Sequence, residues 1–92
     1  MNPNRLKKMA KKHGWSFHDL QENIGMISFV KVINGDPARI NIYMTKMTVA
    51  TAITHPRKGK TQLFRKDVDS KLMDKIFVNP RVHTHKGYRT KS

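Results

Sequence analysis

Residues 26–54 read as β throughout: Met26 to Ile33 is rich in branched and aromatic residues, the cluster Asn34-Gly35-Asp36-Pro37 is a turn, and residues 38–54 alternate apolar and polar side chains with a period of two. Side chains that alternate this way emerge on opposite faces of an extended chain, so the pattern commits the middle of the protein to β-structure with one face buried. MISFVKVI is dense in β-branched and aromatic residues, and ARINIYMTKM sets Ile40, Ile42 and Met44 against Asn41, Tyr43 and Thr45. The two runs read as a hairpin around Asn34 to Pro37. TVATAIT continues as a third strand that Pro56 ends, with small residues on one side where something packs closely.

Helical signals flank this block. Pro3 to His13 places Pro at a first helical position and Leu6, Met9 and Ala10 on a narrow stripe, and Gly14 stops it. The segment GWSFHDLQENIG reads as a turn or short helix whose Trp15, Phe17 and Leu20 join the core. TQLFRK is a fourth strand, and DSKLMDKIF is a helix capped by Asp67 or Asp69, with Leu72, Met73, Ile76 and Phe77 on its apolar face. Pro80 closes that helix, and 82–92 is an extended arm. Ninety-two residues support one core only. The expected fold class is therefore α+β: a single domain, 1–92, with an N-terminal helix, a three- to four-stranded antiparallel sheet, a C-terminal helix and a basic tail.

Charge narrows the function. The chain carries 19 Lys and Arg against 6 Asp and Glu, a net charge of +13. A surplus of this size repels itself and suits a polyanionic partner, with nucleic acid ahead of an anionic membrane surface. The cations form three clusters. Arg57, Lys58, Lys60, Arg65 and Lys66 are the expected centre of a phosphate-binding surface, extended by Lys7, Lys8, Lys11 and Lys12 and by Arg81, Lys86 and Arg89. Tyr43, Phe64 and Tyr88 are candidates for stacking on bases, although core packing is the better reading of Phe64. Shape-reading of a duplex is the favoured mode. No apolar run approaches the roughly 20 residues of a membrane span, and an intracellular location, cytoplasmic or nuclear, is expected. The lack of cysteine excludes disulfides and Cys-based zinc fingers.

Catalytic readings are weaker. Gly59-Lys60-Thr61 spells the tail of a phosphate-binding loop, but the first glycine of that motif would stand at position 54, which is Thr54, and a β-like run follows where a helix is required. His55, His83 and His85 could form a zinc site or a metal-free ribonuclease, yet histidines on a basic surface need no such role. The carboxylates are scattered, which disfavours a Mg²⁺ nuclease. The sequence thus favours a binding protein over an enzyme, without metal or cofactor. The alternatives are a small His-dependent nuclease and a basic module that docks on an acidic protein partner. Pairing of an edge strand such as TVATAIT would give a homodimer.

Overall fold

The computed structural model describes residues 2–33, 35–55, 59–80 and 88–90, with backbone alone for 53–55, 59–62 and 88–90. Helix α1 (Pro3–Lys12) leads into β1 (Ser16–Gln21), a 3₁₀ turn (Glu22–Ile24), and strands β2 (Met26–Ile33), β3 (Asp36–Tyr43), β4 (Thr48–His55) and β5 (Gly59–Arg65). Helix α2 (Ser70–Val78) and a three-residue β6 (Tyr88–Thr90) follow. The strands form one antiparallel meander in the order β1-β2-β3-β4-β5-β6. The α+β class is as the sequence implies.

Register divides the sheet into two faces. Ile27 pairs with Ile42, Ile42 with Val49 and Val49 with Arg65; one step along, Phe29 pairs with Ile40, Ile40 with Thr51 and Thr51 with Leu63. These rows form the inner face. Leu6, Ala10 and Trp15 from the α1 side and Met73, Ile76 and Phe77 from α2 complete one buried cluster with Ile27, Phe29, Ile40, Ile42 and Val49. Both helices therefore cover the inner face. On the outer face Ser28 and Ala50 are buried, whereas Arg39 and Tyr43 are exposed.

Local chemistry sets the helix ends. Asn2 Oδ1 accepts from the Arg5 N–H at the start of α1. At its far end Gly14, at φ +82°, lets its own N–H donate to Lys11 O and the Trp15 N–H to Ala10 O. This is the paired-bond termination that an αL glycine permits, and it delivers Trp15 straight into the core. Lys31 Nζ donates to His13 O, adding a cation at the carbonyl end of the helix. Asp69, not Asp67, caps α2 by accepting from the Leu72 N–H, and Asn79 before Pro80 is extended.

Trp15 joins the layers. Its Nε1–H donates to Phe77 O at 2.8 Å, and its ring lies 6.2 Å from that of Phe77, which meets Phe29 edge-on at 5.6 Å. Beside it His13 Nε2 bonds Asp74 Oδ1 at 2.8 Å, tying the end of α1 to α2.

Three expectations need correction. Residues 16–21 are a strand, not a turn or helix. A bulge between Phe17 and Asp19 inserts one residue, so Phe17 and Leu20, three apart, both fall on the inner side opposite Phe29 and Ile27. The spacing imitates a helix for that reason, and Phe17, near the sheet edge, is 47 % exposed rather than core. The second strand of the hairpin ends at Tyr43, because Met44–Met47 turn, with Met47 at φ +48°. β4 is paired on both sides, by β3 and β5, so TVATAIT is not an edge strand and has no free ladder for a second copy.

Phe77→Ala removes the ring that both Trp15 and Phe29 meet, and is expected to cost about 3–5 kcal/mol in denaturant unfolding, a large share of the stability of a small domain. The hydrogen bond with His13 holds the Asp74 carboxyl below its ordinary value of 3.8. A depressed carboxyl contributes stability above its unfolded pKa and loses it as pH falls through the folded one. Acid unfolding of Asp74→Asn is therefore expected to show a shallower loss of stability below about pH 4 than the parent.

Candidate nucleic-acid interface

α1 carries its cations because its sequence holds no acid and only a narrow apolar stripe. With Leu6 and Ala10 at 0 % exposure, the 3.6-residue period turns Arg5, Lys8, Lys11 and Lys12 to one solvent-facing arc, and all four are exposed. None of these four forms an ion pair among the described residues. Lys7 stands apart from this arc: half-buried, its Nζ lies 4.5 Å from the centre of the Phe17 ring. On α2, exposed Lys71 and Lys75 sit one turn apart. The helical layer is thus basic outside and apolar inside.

The expected centre of the surface is placed only in part. Arg57 and Lys58 lie outside the described residues, as do Arg81, His83, His85 and Lys86. Lys60 registers opposite Thr54, His55 opposite Gly59, and Tyr88 and Arg89 opposite Leu63 and Gln62, all by backbone. Tyr88–Thr90 therefore adds a sixth strand to the sheet where an extended arm was expected. Lys66 is exposed. The strand after Gly59-Lys60-Thr61 leaves no helix N-terminus to bind a nucleotide phosphate.

Arg65 is not a surface cation. It shares the inner face with Leu63 and is 0 % exposed. Its Nη1 donates to Thr51 Oγ1 at 2.8 Å and its Nη2 to Pro80 O at 2.6 Å. Burial pushes the guanidinium down to about 10, which leaves it charged at neutral pH. The planar fork therefore joins β4 and β5 to the chain just after α2. Alternation with Leu63 was the available signal: residues two apart on a strand share a face.

Cations that the sequence clusters pass over come forward instead. Arg39, between buried Ala38 and Ile40, is exposed on the outer face, where its Nη2 donates to His18 Nε2 at 3.0 Å. Exposed Lys46 sits in the turn after Tyr43. Among the described residues no three His, Asp or Glu side chains gather as a metal site, and no helix is long and apolar enough to cross a membrane. A hollow of about 300 Å³ between the ends of β2 and α2 is lined by Lys31, Val32, Ile33, Val78, Asn79 and Pro80, a set without an acid–base pair. Comparison with protein-family models, curated proteins and solved structures finds no match for this chain.

Removal of Arg65 strands the Thr51 hydroxyl and the Pro80 carbonyl in the interior, at about 1–3 kcal/mol each. Arg65→Ala is expected to lower the unfolding midpoint while leaving the salt slope of any polyanion binding unchanged; loss of slope with intact stability would return Arg65 to the surface.

Proposed function

We propose that this protein binds nucleic acid, with affinity supplied chiefly by the phosphate backbone. The observation that carries the reading is the outward arc of α1. Arg5, Lys8, Lys11 and Lys12 are exposed together, with no acid in the helix and no ion pair among the described residues. Holding like charges within one or two turns costs free energy that a neighbouring polyanion relieves. Lys71 and Lys75 on the adjoining helix add to the same field, as does the net charge of +13.

The mechanism is counterion release. Each phosphate neutralised by a lysine or arginine frees condensed cations, so affinity falls steeply with salt. Lysine-rich helices favour this mode because the ammonium groups act as point charges on flexible stems and carry no base information. Six to ten contacts give a loss of roughly 10³- to 10⁵-fold between 50 and 200 mM salt.

The test is a salt series of binding to single- and double-stranded DNA and RNA, with the products inspected for cleavage. Replacing Lys8, Lys11 and Lys12 together by Gln is expected to reduce the slope of log affinity against log salt by roughly 2–3 without altering the fold, since all three side chains are exposed. A flat salt response in the parent protein overturns the reading. Cleavage lost on His55→Ala with binding retained would convert it to that of a nuclease.

A further inference from the structure

The outer face of the sheet carries chemistry that helix-borne phosphate contacts leave unused, and we infer that it stacks the unpaired bases of single-stranded DNA or RNA. This rests on the nucleic-acid reading above and adds the class of polymer.

Core-facing Ile40, Ile42, Val49 and Leu63 turn their neighbours Asn41, Tyr43, Ala50 and Phe64 to the opposite side. Tyr43 is 37 % exposed and Phe64 half-buried. They stand two strands and one residue pair apart, about 12 Å, with half-buried Thr48 and buried Ala50 between them on β4. Two aromatic platforms separated by short side chains suit bases, because every base offers a π-face.

Cations border the same face. Arg39, two residues from Asn41, has no acid beside it among the described residues, and its Nη2 meets His18 Nε2. Register carries the Arg39 row through Ala52 and Gln62 to Arg89 on β6. Lys46 and Lys66, exposed, follow Tyr43 and Phe64 in sequence. Among the described strand residues the acid on this face is Asp19, on edge strand β1, which directs a polyanion towards β3 and β4. Asn41 Oδ1 is buried without a hydrogen-bond partner at the centre of the face. Rotation of that amide towards the solvent side would offer both its donor and its acceptor to a base edge.

Two other occupants fit less well. A six-stranded sheet is about 24 Å across, too broad for a major groove about 12 Å wide, and the base faces of a duplex are closed by stacking. A second copy would bring +13 against +13.

The test compares oligo(dT), oligo(U) and a mixed-sequence duplex by fluorescence anisotropy, using the parent protein, Tyr43→Ala, Tyr43→Phe, Phe64→Leu and the triple α1 lysine variant, each checked for an unchanged thermal midpoint. The expected result is tighter binding of the single strands than of the duplex. Tyr43→Ala should weaken single-strand binding roughly 5- to 150-fold at constant salt slope. Tyr43→Phe should restore it, Phe64→Leu should weaken it less than the alanine change, and duplex binding should not move. Equal binding of duplex and single strand with inert aromatics overturns the stacking face but leaves phosphate binding intact. Absence of salt-dependent binding overturns both. A concentration-dependent dimer in sedimentation that Tyr43→Ala dissolves assigns the face to self-association and also overturns the proposal.

Discussion

The fold depends on the contact of Trp15 with the last turn of α2. Trp15 follows α1 after His13 and Gly14 and leads directly into β1, so its indole stands where helix, strand and second helix converge. The ring packs on Phe77 while its N–H is satisfied by Phe77 O, which makes one side chain both hydrophobic filler and directional tie. The Phe77–Phe29 edge contact passes the registration to the sheet. Without that junction the two helices would share only the His13–Asp74 pair and a few apolar neighbours, and a short amphipathic helix with so narrow a stripe has little stability of its own.

From this junction follows the sidedness of the molecule. Both helices are drawn to one face of the meander, and neither lies on the other. The helical side then presents lysines outward because its apolar residues are spent inward. The other side carries what the strand alternation sends there: exposed Arg39 and Tyr43 with half-buried Asn41 and Phe64. Two chemically distinct surfaces result, one of point charges and one of aromatic and polar groups. The proposed nucleic-acid ligand would bring a charged backbone to the first and planar bases to the second.

Arg65 shows how a charge can be displaced from one category to another by a single positional rule. In the chain it belongs to a run of cations; in the fold it faces Thr51 and the Pro80 carbonyl and carries no surface charge. Burying a guanidinium requires hydrogen bonds for its donors, and the residues that supply them, on β4 and just after α2, are 14 and 15 positions away. The reverse holds for Arg39, which sits in a stretch of zero net charge and yet is exposed on the outer face.

The branched and aromatic run of residues 26–33, the alternation in residues 38–54, the proline and glycine that bound α1, the apolar face of α2 and the charge surplus were legible by themselves, because each depends on neighbours within a few residues. The sequence determined the α+β class, the β2–β3–β4 meander and the basic character of α1. It could not reveal the strand at residues 16–21, because one inserted residue at a bulge turns strand spacing into apparent helix spacing. Nor could it assign β4 to the interior of the sheet, since whether a strand is an edge is decided by what pairs on its second side. Which cations reach solvent was likewise left to the tertiary structure: exposure depends on the face opposite the helices, and that face is chosen only when Trp15, Phe29 and Phe77 pack together.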